Sequence, residues 1–231
     1  FASDAAHELR NRISGIRNAA ELIPGASESE LERVASLIAE NSSRMERVVA
    51  SLRELSRIEA DSGSGETDRA REVIGGVVFA AQGRYPHVHF AFPAGAHFPA
   101  FPADAHIPVL PLSAERLEIA LENLVENAAS FSPPGATVTV ELKRTGDHAL
   151  VTVRDEGPGI PVEHLGRVFD RFFSWRPERA ETRDTEMHVA ETHHAGVGLS
   201  LVEAIMRKAG GTASCANGDS GGAIFTLDFP T

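Results

Sequence analysis

The 231-residue sequence is poor in the features that define several common classes of protein. Its one cysteine, Cys215, cannot form an internal disulfide, which is typical of a reducing compartment. No apolar run approaches the ~20 residues that a helix needs to cross a bilayer, and no basic and then apolar leader is present. These absences predict a cytoplasmic location for this stretch of chain.

Lysine is also scarce, because only Lys143 and Lys208 among the 22 basic residues are lysines. Neither ends a glycine-rich loop of the form GxxxxGK, which excludes a P-loop nucleotide site. The 33 acidic side chains outnumber the basic ones and leave a net charge of −11. That balance argues against broad nucleic-acid binding, since the binding of a phosphate backbone needs clustered Lys and Arg.

The first sixty residues predict two long helices with apolar seams of the heptad type. The first seam consists of Leu9, Ile13, Ile16, Ala20 and Ile23. Pro24-Gly25 ends this helix, Ser27 caps the next, and the second seam includes the polar Asn41. A hairpin with one apolar face cannot bury that face alone, so we expect a homodimer that forms a four-helix bundle. Docking of the face onto the rest of the chain is the alternative.

The pattern becomes mixed after a Gly/Ser-rich stretch at 61–67, which marks a linker. We therefore divide the chain into a helical hairpin at 1–62, a linker at 63–70 and a second domain at 71–231. The elements predicted in the second domain are helices at 71–81, 113–129 and 198–209, strands at 87–92, 136–142, 149–155 and 223–229, and an irregular loop at 93–111. Such a mixture predicts an α+β sandwich, with a sheet packed against helices.

Two amides stand four residues apart on the helix that Ser113 caps. Asn123 and Asn127 share the edge of its buried stripe, whereas Glu122 and Glu126 point away from it. Amide oxygens at the rim of a core are suited to a hard cation or to the polar groups of a phosphate ligand. Taken alone, the pair is more simply read as two amides that cap nearby loops.

Two glycine-rich segments follow at matching places in the pattern. Asp155 ends a strand, and Gly157 and Gly159 come directly after it. Such glycines allow the backbone to approach a ligand, and the carboxylate can accept a hydrogen bond from an exocyclic amine. Gly196 and Gly198 open a helix whose free N–H groups attract an anion. Each segment is a weak signal, but their order and spacing together are specific.

In this order the segments resemble those of the bacterial sensor histidine kinases. Residues 1–10 are similar to the H box, 123–128 to the N box, 155–160 to the first glycine box, 168–173 to the F box and 196–201 to the second glycine box. The resemblance spans essentially the whole chain. It implies a dimerisation and histidine-phosphotransfer hairpin, followed by an ATP-binding domain of the Bergerat type.

The resemblance also implies an activity and partners. Such a core phosphorylates its own histidine with ATP and passes the phosphoryl group to an aspartate of a response-regulator receiver domain. Phe1 stands almost at the start of the first box, so we expect that a sensor and membrane segments lie upstream. The parent protein would then be anchored in the inner membrane only through those segments.

Individual roles follow from the matching positions. His7 would be the phosphoacceptor, Glu8 its general base, and Asn11 would be linked to dephosphorylation of the response regulator. The residues implied to bind ATP are Asn123 and Asn127, which would also hold Mg²⁺, Phe131 and Asp155 at the adenine, and Gly157, Gly159, Gly196, Gly198 and Leu199 in the glycine boxes. Arg171 would reach the γ-phosphate, and residues 174–195 would form a lid over the nucleotide.

Two departures bear on the chemistry. Related ATPases of the chaperone and topoisomerase kind have a Glu at the position of Asn123 to activate water, and an amide has no useful basicity. Phosphoryl transfer to His7 is therefore favoured over hydrolysis.

The alternatives are a Bergerat-type ATPase, or a degenerate kinase that acts as a dimeric scaffold or phosphatase. Arg12 stands where the family usually has proline, which predicts a weaker bend after His7.

Overall fold

Two long helices open the chain, and a five-stranded sheet with helices packed against it follows. The computed structural model describes residues 2–24, 26–60, 65–92, 109–175 and 196–230. This order confirms the predicted helical hairpin followed by an α+β sandwich. None of the helices in the described residues is both long and apolar enough to cross a membrane.

The hairpin consists of α1 (Ala2–Glu21) and α2 (Glu28–Ala60). Ser27 precedes α2 at the predicted cap position, where its carbonyl accepts from the Leu31 N–H at 2.9 Å and its own N–H and hydroxyl donate to the Glu30 carboxylate at 2.7 and 2.6 Å. These two bonds hold the pKa of Glu30 below its usual value. Asn41 faces α1 at Gly15, where an added Cβ would lie 3.3 Å from the Asn41 Oδ1. The glycine thus allows the two helices to approach closely beside the polar seam residue.

The hairpin leaves a large part of its apolar surface uncovered. Ala19, Val34 and Val48 are buried. The large apolar side chains that remain exposed on the two helices and their loop are Ile13, Leu22, Ile23, Leu31, Leu37 and Val49. Ile13, Ile23 and Leu31 belong to the seams that the sequence predicts a second copy of the chain to cover, whereas the other three lie outside those seams.

The second domain forms one mixed sheet. Its elements are α3 (Ala70–Arg84), β1 (His89–Ala91), α4 (Ala114–Phe131), β2 (Thr137–Thr145), β3 (His148–Arg154), α5 (Val162–Leu165), α6 (Gly198–Lys208), β4 (Thr212–Asn217) and β5 (Ala223–Pro230). The strand order is β1-β2-β3-β5-β4, and only the β1–β2 pair is parallel. The hairpin between β2 and β3 closes on the pair Thr145–His148, with Gly146 at a φ of 63°. The helices α3, α4 and α6 pack side by side and against the sheet.

Most of the predicted elements are present with small differences in length. Ser113 caps α4, since its hydroxyl accepts from the Arg116 N–H at 3.3 Å. The strand predicted at 87–92 is shorter, and β4 and α5 were not predicted at all. The segment that forms β4 is made of small and polar residues without β-branched or aromatic alternation, so its strand conformation depends on pairing with β5. Of the loop predicted at 93–111, residues 93–108 lie outside the described residues.

The end of the hairpin and the second domain share one hydrophobic core. Leu55 and Ile58 of α2 are 0% and 2% exposed and belong to the same cluster as the side chains of α3, α4 and α6. Within the predicted linker, Thr67 is buried and pairs with Leu110 through backbone bonds of 2.9 and 2.8 Å. Residues 65–70 therefore lie against the second domain, while the division of the chain at 62 stays a prediction.

Candidate functional site

A cleft opens where α4, the segment after β3 and the start of α6 meet. Its volume is about 870 Å³ including the open mouth. The residues that line it are Asn123, Asn127, Phe131, Asp155, Pro158, Gly159, Ile160, His164, Val168, Phe173, Ser174, Trp175, Gly196, Gly198, Leu199, Ala223 and Phe225. Residues predicted from the N box and from both glycine boxes thus meet around one cavity, although Gly157 is not among those that line it.

Asn123 is held in one orientation by its own helix. Its amide Nδ2 donates to the Ile119 carbonyl at 2.7 Å, which fixes the opposite direction for Oδ1. A Cβ added to Gly198 would lie 2.5 Å from that Oδ1, so the oxygen faces the first residue of α6. The oxygen and the free N–H groups at the helix start offer neighbouring places for a cation and an anion.

Asn127 lines the cleft one turn further along α4. Two amide oxygens on one helix edge are the type of ligand that Mg²⁺ accepts, and Mg²⁺ commonly completes its shell with water and substrate phosphates. The fixed orientation of Asn123 and its position beside the anion-attracting end of α6 fit a Mg²⁺–phosphate pair.

Asp155 is a buried carboxylate that also lines the cleft. It is 3% exposed, and its Oδ1 accepts from the N–H groups of Gly157 and Ala223 at 2.8 and 3.0 Å. Burial raises the pKa of Asp155, and the two backbone bonds offset this only in part. Since both bonds end on Oδ1, Oδ2 is the acceptor for a donor from the cleft.

The glycines around Asp155 are required by close backbone contacts. A Cβ on Gly157 would lie 2.7 Å from the Phe131 carbonyl oxygen, so this residue supports the site from behind the lining. Gly222 has a φ of 76°, and a Cβ there would overlap the Asp155 carbonyl oxygen. The Gly221-Gly222 pair before β5 was a signal for this contact that the sequence reasoning did not use.

The F box and the second glycine box are joined by a strained contact. Phe172 has a φ of 63°, which costs a non-glycine residue about 1–2 kcal/mol. Its N–H donates to the Gly196 carbonyl at 2.6 Å, and a Cβ on Gly196 would lie 2.7 Å from the Phe172 carbonyl carbon. The contact brings together the two ends of the predicted lid, of which residues 176–195 lie outside the described residues.

Several residues expected at the site are elsewhere or are not described. Arg171 is not among the lining residues, and its Nη2 lies 2.8 Å from the Glu59 Oε1 at the end of α2. The backbones of His7, Glu8 and Asn11 lie within α1, but their side chains are outside the described residues. Two aromatic groups of the lining were given no role from the sequence: His164 lies outside the predicted boxes, and Trp175 falls in the predicted lid without a role of its own.

Two family models match separate parts of the chain, and residues 62–112 between them are matched by neither. Residues 113–231 match the "Histidine kinase-, DNA gyrase B-, and HSP90-like ATPase" family. Residues 1–61 match the "His Kinase A (phospho-acceptor) domain". The chain belongs to the first of these families, with a phospho-acceptor domain before it. This arrangement is that of the kinase core of a bacterial two-component sensor histidine kinase.

The chain is similar in sequence to proteins named as a sensor protein and as a histidine-protein kinase/phosphatase. The chain is 29% identical over 242 residues to the sensor protein ChvG of Rhizobium meliloti (strain 1021). This alignment covers 100% of the chain and 40% of that protein. It is 31% identical over 226 residues to the signal transduction histidine-protein kinase/phosphatase MprB of Mycobacterium sp. (strain KMS), over 91% of the chain and 38% of that protein. The chain thus spans about two fifths of the length of these relatives.

Solved structures show the same fold. The Acinetobacter baumannii histidine kinase AdeS matches with a TM-score of 0.62 at 21% identity, over 97% of each chain. The histidine kinase ThkA in complex with the response regulator protein TrrA matches with a TM-score of 0.70 at 19% identity, over 99% of this chain and 60% of that one.

The contact between Asn123 and Gly198 is open to a direct test. Gly198→Ala places a methyl group against the Asn123 Oδ1, so we expect the amide to turn away and nucleotide affinity to fall at least tenfold. Gly76→Ala is the matched control, because nothing lies within 4 Å of an added Cβ in α3. The control keeps the affinity and stabilises the protein by about 0.5–1 kcal/mol. Calorimetric titration with Mg-ADP measures the affinity, and equal values for the two variants would contradict the contact's role.

Proposed function

We propose that this chain uses Mg-ATP to phosphorylate His7 and then passes the phosphoryl group to an aspartate of a response-regulator receiver domain. The observation that carries the proposal is the cleft. It combines an oriented amide, that of Asn123 beside the start of α6, with a second amide one turn away and a buried carboxylate, in a chain whose first 61 residues match a phospho-acceptor domain.

The cleft provides separate places for the two ends of ATP. The oxygens of Asn123 and Asn127 would hold Mg²⁺, which neutralises the charge on the phosphates when it is bound. The start of α6 attracts the phosphates themselves, while Asp155 accepts from the adenine amine and Phe131 packs on the base. A strongly acidic chain can bind one ATP in this way, because the positive groups are local.

The charges around the cleft favour transfer over hydrolysis. Asp155 is the one carboxylate among the described lining residues, and it accepts two backbone N–H groups. Glu122 is exposed and does not line the cleft. Without a base beside the phosphates, water is not activated, so the Bergerat-type ATPase is the weaker candidate.

His7 and Glu8 divide the chemistry of the transfer. A free imidazole nitrogen of His7 attacks the γ-phosphorus, the bond from that phosphorus to the bridging oxygen breaks, and ADP leaves. Glu8 accepts the proton that the ring loses. Adjacent side chains on a helix diverge by ~100°, so the Glu8 carboxylate must swing towards the ring. The phosphohistidine has a labile P–N bond and therefore acts as a relay.

Partners and a second activity belong to the same proposal. The exposed apolar residues of the hairpin fit a homodimer that closes a four-helix bundle. A receiver domain fits as the acceptor, because the similar structure of ThkA contains a response regulator. Asn11 and the likeness to a kinase/phosphatase support dephosphorylation of that regulator as a second function. The cytoplasmic location and an inner-membrane anchor of the parent protein stay predictions.

Substitution of the phosphoacceptor tests the activity. Incubation with ATP labelled at the γ-phosphate is expected to label the wild-type chain in an acid-labile form. His7→Gln is expected to abolish the label while nucleotide affinity stays within about twofold, since residue 7 belongs to α1 and the residues that line the cleft belong to the second domain. ATP turnover without any labelled protein would support the ATPase instead. Nucleotide binding with neither label nor turnover would favour the scaffold.

The acidity of Asp155 predicts a pH dependence of base selection. The ionised carboxylate accepts from the amine of ADP but repels the 6-oxo group of inosine diphosphate. As the pH falls, the carboxylate becomes protonated and the preference for ADP over inosine diphosphate declines. Because burial raises the pKa of Asp155, this decline begins at a higher pH than for an ordinary Asp, whose pKa is ~3.9. The affinity for ADP is divided by the affinity for inosine diphosphate. Both ligands have the same phosphates, so the effect of pH on the phosphates is removed from this ratio.

In Asp155→Asn, loss of the charge-assisted bond is expected to lower this ratio by about 10- to 100-fold at neutral pH. The ratio then becomes independent of pH. Paired calorimetric titrations between pH 4.5 and 8 measure it. A ratio in Asp155→Asn equal to that of the wild-type chain at neutral pH would rule out recognition of the amine by Asp155.

The pairing of Arg171 with Glu59 competes with its proposed role at the γ-phosphate. Gly15 faces Asn41, so His7 lies level with about position 49 of α2, and Glu59 is ten residues or about 15 Å further along the helix. Arg171 therefore has to leave Glu59 and shift along the hairpin to accompany the phosphate to His7.

Glu59→Gln removes the ion pair that Arg171 has to leave, so the affinity for a non-hydrolysable ATP analogue is expected to rise. The rise is at most about fivefold, because a partly exposed ion pair contributes little. ADP lacks the γ-phosphate, and its affinity should not change. The matched control is Glu54→Gln, which removes a comparable ion pair with Arg57 on the same helix. A similar change for both nucleotides, or for both variants, would contradict the competition.

A further inference from the structure

An aromatic cluster, formed by His164, Phe173 and Trp175, makes up one wall of the cleft. The His164 ring lies 5.4 Å from the ring of Phe173 and 5.6 Å from that of Trp175, with interplanar angles of 62° and 50°. All three side chains are half-buried. The imidazole is therefore a neighbour of both rings, with an edge geometry towards Phe173 and a tilted one towards Trp175, at centroid distances typical of aromatic pairs.

The cluster is supported from outside the cleft. The Arg167 guanidinium lies over the Phe173 ring at 5.0 Å from its centroid, a cation–π contact. Arg167 is itself held by an ion pair of 3.4 Å with Asp170. A chain of contacts thus runs from the surface to the Trp175 ring, which limits the orientations that the indole can adopt.

The chemistry of this wall differs from that of the phosphate-binding part. The groups suited to phosphate and metal are amide oxygens and the start of α6, and they come from other elements. The rings of Phe173 and Trp175 offer flat apolar surfaces, which pack on a base or on the carbon face of a ribose. The cluster therefore fits the nucleoside end of a nucleotide.

We propose that Trp175 packs against the nucleoside of the bound nucleotide, and that His164 is a positioning residue that holds the indole in place. Trp175 then forms a second aromatic contact in addition to that of Phe131. This proposal rests on nucleotide binding in the cleft, which is part of the proposed function. It extends that function by assigning the recognition of the nucleoside to residues outside the glycine and asparagine boxes.

The chain offers its own probe, because Trp175 is the only tryptophan. Titration with Mg-ADP and with adenosine is expected to change the Trp175 fluorescence, whereas Mg-tripolyphosphate leaves it unchanged. Calorimetry on Trp175→Ala is expected to show an affinity for ADP about five- to tenfold weaker, while Trp175→Phe stays within about twofold. Phe79→Ala, at a 77% exposed aromatic residue on α3, is the control that leaves the affinity unchanged.

A double-mutant cycle tests the role of His164. His164→Ala should weaken ADP binding when Trp175 is present and have little further effect in Trp175→Ala, because positioning acts through the indole. Additive losses would show that His164 acts independently of Trp175 and would overturn its assignment. A substitution that merely disturbed the fold would weaken binding in both backgrounds.

The outcomes separate the two proposals. Calorimetric binding of ADP that is unchanged in Trp175→Ala would overturn the nucleoside contact and leave the proposed function intact. So would a fluorescence response to tripolyphosphate equal to that for ADP, since it would place the indole at the phosphates. Failure of the wild-type chain to bind ADP at all would contradict the proposed function, and the contact with it.

Discussion

The close approach of α4 to the start of α6 is the constraint on which the cleft depends. A single oxygen, the Oδ1 of Asn123, occupies the space that a side chain at position 198 would need. This contact places the amide edge of α4 beside the free N–H groups of α6, so that sites for a cation and an anion become neighbours. It is possible only because residue 198 is glycine and because Asn123 is tied back to Ile119.

The parts of the fold that could be predicted are those with a strong local signal. The helix α4 follows from a serine cap and an apolar stripe, and β2 and β3 follow from alternation on both sides of a short turn. The strand β4 could not be predicted, because its small and polar residues carry no such signal. Its conformation comes from pairing with β5, which is a long-range interaction.

The same distinction holds within the site. The sequence identified Asn123, Asn127 and Asp155, because each belongs to a motif whose spacing reveals its geometry. It did not identify the contact of Gly222 with Asp155, or the ring contacts of His164 and Trp175, which join residues from separate elements. The position of Arg171 also escaped prediction, since its partner Glu59 is 112 residues away in the sequence.

The helix α2 connects the two halves of the molecule physically. Along its length it forms the hairpin with α1, and at its end Leu55 and Ile58 are buried in the core of the second domain. Glu59 follows directly and binds Arg171, while its carbonyl accepts from the Lys208 Nζ at 3.1 Å at the end of α6. A closely packed core transmits small displacements instead of absorbing them. A rotation or shift of α2 would therefore act on two contacts at once, that of the Glu59 carbonyl with the end of α6 and that of the Glu59 carboxylate with Arg171.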